Sequence, residues 1–274
     1  MGPTLSHRCN VLLWGTTLAL LGASQWLQAQ DAASLSPALE HGRGSALLKA
    51  PEQASDPDLS GDPLQFSPDE LRELQRRFGV HGPQPRLAQL FTQGMDQLQP
   101  LRSVTMGRLE ELSPVILQES RRVGINPMLV AAVLFDELQH SKPGESLPIA
   151  AHSGLFSTLG PAQIGLGEMV HQGLLSPDAS ASELQQARQY LLDPHRNVQL
   201  LVGKFARLSK SLGLPRHRLL MASTSRRDAK SLGALAYLHN GKLDYPRRVF
   251  RYMQDPELHA LVYGTRKRAL APLI

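Results

Sequence analysis

The sequence predicts an all-α protein, and three observations carry that prediction. Helix-starting signals, in which a capping residue precedes proline, stand at Ser67-Pro68, Asn126-Pro127 and Asp193-Pro194. Apolar residues recur at helical spacing after the last of these, at Val198, Leu201, Val202, Phe205, Leu208 and Leu212. No stretch alternates Val, Ile, Thr and aromatic residues as a substantial sheet would require.

Each element follows from local chemistry. Ser67-Pro68-Asp69-Glu70 combines a cap, a proline at the first helical position and acids in the first turn, so order begins near Ser67. Asn126 caps a second helix, whose residues Met128 to Phe135 are all apolar. A helix apolar on every side is a buried central helix. The segment from Gly154 to Gly167 is a loop rich in Gly, Ser and Thr, and a small hairpin or irregular loop is expected near Leu147–Leu159. Asp193 caps the third helix, where Gly203 allows close packing. A last helix around Ser231–His239 leads into an Asn240-Gly241 turn. Residues 66–112 belong either to the same domain or to an added helical subdomain.

The N-terminal region reads differently. Arg8, the apolar run Val11 to Ala23, and Leu27 and Ala29 before a cleavage point predict a secretory signal over residues 1–29 and an exported, periplasmic protein. The apolar run is shorter than the roughly 20 residues a bilayer span needs, so membrane attachment is expected only through an uncleaved signal. Residues 30–65, rich in Ala, Ser, Pro, Asp and Gly, predict a flexible linker. Beyond Cys9 there is no cysteine, which excludes disulfides and thiolate metal sites.

Charge is unevenly spread. Residues 30–195 carry a net −8 and residues 196–274 a net +12. Such a basic third either favours an anionic polymer or surface or is simply a solvated face. Aromatic residues make up only 5% of the chain, which gives no stacking platform, and export also argues against nucleic acid. His140, His152, His171, His195 and His239 lack ligand-like spacing, and Gly154, Gly160, Gly165 and Gly167 lack the context of a phosphate loop. No metal or other cofactor is therefore expected, and His239, near Tyr237, reads as a satisfied surface histidine, with contact to the site as the alternative.

Asp136 and Glu137 end the apolar run. Glu137 lies three, four and seven residues after Leu134, Val133 and Val130, on a stripe with them. A carboxyl held against such neighbours should have a raised pKa, as a general acid requires. The pattern alone does not separate Glu137 from Asp136, nor either from a structural acid paired with Arg or Lys.

Four segments in order then resemble one family. Ile125-Asn126-Pro127 through Glu137 is similar to the catalytic helix of lytic transglycosylases, within the lysozyme-like superfamily that includes goose-type lysozymes. The ten-residue step from Pro127 to Glu137 matches, and it selects Glu137 over Asp136. Leu138 stands where that family usually has serine. Gly160-Pro161-Ala162-Gln163-Ile164 resembles the family's Gly-Leu-Met-Gln motif, which implies sugar contacts by Gln163 and its neighbours Ala162 and Ile164. Asp193-Pro194-His195-Arg196-Asn197-Val198 resembles the start of the next family helix, which implies an anchoring role for Asn197. Ala234 to Gly241 resembles Ala-Ala-Tyr-Asn-x-Gly, with Tyr237 in the place of the tyrosine that approaches the catalytic carboxyl. Asn240 falls three residues after Tyr237 instead of one. Tyr245, with Val249 after it, fits the motif's usual ending.

The resemblance implies a lysozyme-like helical fold with a substrate cleft, and peptidoglycan glycan strands as substrate. Glu137 would act as single general acid and base and leave 1,6-anhydro-muramyl ends. Should a second carboxylate such as Asp136, Glu145 or Glu168 position water, the product would be a reducing sugar. A different class also fits the residues: a non-catalytic lysozyme-like module that binds glycan or scaffolds a cell-envelope complex.

Overall fold

The computed structural model describes residues 62–79, 101–141 and 153–264. The signal segment 1–29, the linker as far as residue 61, Glu145 and the Leu147–His152 part of the expected loop lie outside the described residues. Within them the chain forms ten helices and one short hairpin, so the all-α class holds. The helices are α1 (Pro68–Phe78), α2 (Arg102–Val123), α3 (Pro127–Gln139), α4 (Leu166–His171), α5 (Ala181–Leu192), α6 (Pro194–Ser211), α7 (Arg216–Leu220), α8 (Arg226–Asn240), α9 (Tyr245–Met253) and α10 (Pro256–Tyr263). Among the described residues no helix is long and apolar enough to cross a membrane.

The three sequence-predicted helix starts are built as expected. Ser67 Oγ accepts from the Glu70 N–H while the Glu70 carboxylate accepts from the Ser67 N–H, a reciprocal cap. Asn126 Oδ1 accepts from the Met128 and Leu129 N–H groups at 2.7 and 3.3 Å. Asp193 Oδ1 accepts from the Arg196 N–H at 3.0 Å. Each cap satisfies backbone donors that would otherwise have no partner at a helix end.

Helix α3 is the centre of the fold. Every residue from Pro127 to Leu138 is buried. Helices α2, α9 and α10 pack directly on it, α6 lies against α2, and α8 against α9. Asn126 also donates through Nδ2 to the Ala222 carbonyl, tying the start of α3 to the segment after α7. The apolar stripe of α6 is buried as its spacing predicts.

The described part of residues 66–112 joins this same core. Phe66, Leu74, Leu109 and Leu112 belong to one hydrophobic cluster with α3 and α6. The Phe66 ring stacks near Tyr237, and Lys230 of α8 pairs with Glu70 of α1. Helix α8 is longer at its start than the sequence predicts, and it ends as predicted, with Gly241 in the left-handed region at φ 84°.

The hairpin pairs β1 (Thr158–Leu159) antiparallel with β2 (Ile164–Gly165), so it lies at the C-terminal edge of the expected position and beyond it. Its turn contains Gly160 at φ 74°. A Cβ there would collide with the Leu191 carbonyl and the Asn197 side chain, so glycine is required on both conformational and steric grounds. Asn197 is fully buried and makes three bonds. It accepts from the Ala162 N–H at 2.7 Å and donates to the Leu159 and Leu191 carbonyls at 2.9 Å each. This is the helix-to-loop anchor expected at that position.

Replacing Asn197 by alanine leaves one donor and two acceptors buried without partners. A loss of about 3 kcal/mol is expected. Denaturant unfolding measures it, and a loss below about 1 kcal/mol would contradict the anchoring role.

Candidate active site

Burial of α3 carries two carboxylates inward at its C-terminal end, and each is matched by its own donors. Asp136 receives Arg248 of α9, Nε to Oδ1 at 3.0 Å and Nη2 to Oδ2 at 3.3 Å. His140 lies one turn on, with Nδ1 3.5 Å from Oδ2. Burial still leaves the Asp136 carboxyl above its ordinary range despite Arg248 and His140.

Glu137 faces a different set. Tyr245 Oη donates to Oε1 at 2.7 Å, Asn240 Nδ2 donates to it at 3.4 Å, and His239 Nε2 lies 3.3 Å from the same oxygen. All three groups converge on Oε1, and no described residue donates to Oε2. Burial pushes the Glu137 carboxyl up. His239, by its hydrogen bond and by the charge it carries when protonated, and then Tyr245 and Asn240 push it down, and they prevail. The raised pKa expected from the apolar stripe is therefore corrected: the stripe desolvates the carboxyl, but donors from α8 and α9, invisible in the local pattern, outweigh that. Tyr245 is correspondingly pushed well above the ordinary tyrosine range by burial and by the carboxylate it serves.

Behind this pair stands a second row. Lys204 of α6 is buried, with Nζ donating to the His239 carbonyl at 3.3 Å and lying 3.5 Å from His239 Nδ1. Burial pushes Lys204 down to about 8, against the attraction of Glu168 and Glu137. Burial and Lys204 together push His239 down. Glu168 on α4 is held by Arg207, Nη2 to Oε2 at 2.5 Å and Nε to Oε1 at 3.1 Å.

The other sequence-predicted residues divide. Asn240 reaches Glu137, since the helical turn from Tyr237 to Asn240 brings it there despite its offset in the motif; its Oδ1 is buried without a partner. Tyr237 does not take the expected place. Its hydroxyl accepts from Gln75 of α1 at 3.1 Å, and the hydroxyl on Glu137 is that of Tyr245. Gln163 sits at φ 48°, in the left-handed region, with its amide folded back on the hairpin: Oε1 accepts from Thr158 Oγ1 at 2.7 Å and Nε2 donates to the Gly160 carbonyl at 3.3 Å. Ala162 and Ile164 have fully buried side chains, and the Ala162 N–H is already given to Asn197.

His239, expected at the surface, is buried at 4% exposure. Lys204 was not singled out by sequence. Its signal was its place on the apolar stripe, three residues after Leu201 and four before Leu208. Among the described residues no group of three or more His, Cys, Asp and Glu side chains is arranged to hold a metal ion. No family model, no curated protein and no solved structure matches the chain.

Two outcomes follow from this geometry. Tyr245→Phe removes a donor to the ionised form of Glu137, so the Glu137 pKa should rise. Carboxyl carbon NMR titration reads this, and an unchanged or lower value would contradict the bond. Lys204 titrates lower in the folded chain than in the unfolded one, so between pH 8 and the ordinary lysine value of 10.5 the unfolded chain holds the extra proton. Stability from this group therefore rises with pH across that window. The stability of Lys204→Met relative to the parent should accordingly fall from pH 8 to pH 10, measured by denaturant unfolding.

Proposed function

We propose that the chain is an exported lytic transglycosylase of lysozyme-like fold that cleaves peptidoglycan glycan strands between N-acetylmuramic acid and N-acetylglucosamine, with Glu137 as both acid and base. The observation that carries the proposal is the one-sided holding of Glu137. Oε1 is fixed by Tyr245, His239 and Asn240, while Oε2 has no described donor. A proton on this carboxyl therefore sits on Oε2, the oxygen left to a substrate.

In this reading Oε2–H protonates the glycosidic oxygen as the bond to the muramyl C1 breaks. The substrate's own N-acetyl group stabilises the cationic carbon. The three groups on Oε1 stabilise the carboxylate left behind. Glu137 then removes the proton from the muramyl C6 hydroxyl as that oxygen closes on C1, and no water is consumed. A saccharide covering Oε2 removes its remaining solvent, which favours the protonated form that the first step needs and opposes the downward pull of the donors.

An anhydro product is favoured over hydrolysis by the state of the other carboxylates. Asp136 and Glu168 are each already bonded through both oxygens to an arginine, Arg248 and Arg207, which occupies the oxygens that would have to position a water. The non-catalytic reading, a glycan-binding or envelope scaffold module, is favoured by Leu138 at the usual serine position and by the lowered carboxyl of Glu137.

Purified sacculi separate these readings. The parent protein should release muropeptides with 1,6-anhydro ends, identified by mass spectrometry, and Glu137→Gln should reduce release by about a hundredfold or more with the fold intact. Binding of sacculi with no release would leave the scaffold reading standing and the enzyme reading wrong.

A further inference from the structure

Lys204 projects from α6 into the polar row behind Glu137, where its ammonium meets both the carbonyl and the ring of His239. An ammonium carries three donors and no acceptor. The nitrogen facing it, Nδ1 at 3.5 Å, must then present its lone pair, because an Nδ1–H would set two donors against each other. The ring proton accordingly lies on Nε2, the nitrogen 3.3 Å from Glu137 Oε1. Resting on the acid–base reading of Glu137, we propose that Lys204 is a positioning residue that locks His239 as the neutral, Nε2-protonated tautomer, so that Glu137 faces a hydrogen-bond donor and not an imidazolium and retains the capacity to carry a proton.

The surroundings support the lock. His239 is faced by Lys204 from α6, by Glu137 from α3 and by the Tyr245 ring from α9 at a centroid distance of 6.0 Å, with Glu168 of α4 acting at longer range. Lys204 is attracted by Glu168 and Glu137 and repelled by Arg207, while His171 of α4 feels Lys204, Arg207 and Glu168. At a Lys204 pKa of about 8 the ammonium persists at neutral pH, which is where the lock must act. An imidazolium beside Glu137 would form a buried ion pair and hold the carboxyl ionised, the wrong state for donating a proton.

Nitrogen NMR of histidine-labelled full-length protein tests this directly from pH 5.5 to 7.5. The His239 signals are identified by their loss in His239→Gln. The expected pattern is Nδ1 unprotonated and Nε2 protonated in the parent, with Nδ1 gaining a proton at the lower end of the range in Lys204→Met. A protonated Nδ1 in the parent at pH 7, or an unchanged pattern in Lys204→Met, would overturn the lock. If Lys204→Met does not fold, the parent pattern decides alone. In sacculus digestion, Lys204→Met should lose about tenfold on the alkaline side of its pH profile, the rate equivalent of one pH unit, and recover at lower pH, while Lys204→Arg should retain the parent profile. A uniform loss at all pH values would indicate a merely structural lysine. If the parent releases nothing from sacculi, the enzyme reading fails, and the nitrogen pattern still decides the tautomer.

Discussion

Burying a helix that ends in two carboxylates sets the terms for the rest of the molecule. Helix α3 supplies the middle of the core, and its last turn brings Asp136 and Glu137 in with it. A buried carboxylate without donors costs several kcal/mol, so the elements around that turn have to supply them. Helix α9 does most of this. Tyr245 serves Glu137 and Arg248, three residues on, serves Asp136, while the end of α8 adds His239 and Asn240. Adjacent acids in the sequence thus become two separately partnered groups, one clamped by a guanidinium and the other held by a single oxygen.

The same requirement uses part of the uneven charge of the chain. The acidic first part and the basic last third meet at two buried acids, Asp136 with Arg248 and Glu168 with Arg207, and at two more exposed pairs, Glu70 with Lys230 and Asp62 with Arg247. Part of the basic excess is therefore spent inside the fold. Arg207, Glu168, Lys204, His239 and Glu137 form a row that alternates in sign, with the imidazole between the last two charges. Groups so coupled titrate together, and the protonation of Glu137 cannot be separated from that of His239 and Lys204.

Much of the frame was legible in the sequence because it rests on short-range chemistry. Caps at Ser67, Asn126 and Asp193 act within three residues, and the buried character of α3 is written in eight consecutive apolar side chains. The anchoring place of Asn197 was legible through its position in a motif. Local rules failed where long-range packing overrode them. Helix α2, which no local signal marked, runs through Pro114 with Leu109, Leu112 and Ile116 buried on both sides of it. Tyr237 matched a tyrosine motif and instead packs on Phe66 and Gln75 of the N-terminal segment.

The sequence by itself determined where the helices after Ser67, Asn126 and Asp193 begin, and that the one after Asn126 is central and ends in Asp136 and Glu137, since periodicity, capping and turn residues act through near neighbours. Only the tertiary structure decided what surrounds Glu137. His239, Tyr245 and Lys204 lie 102, 108 and 67 positions after Glu137 in the chain. Their convergence depends on how α6, α8 and α9 pack around α3, and so does the sign of the shift on Glu137. Desolvation could be read from the neighbours of Glu137 along its own helix, but the donors that outweigh it arrive from elsewhere in the chain.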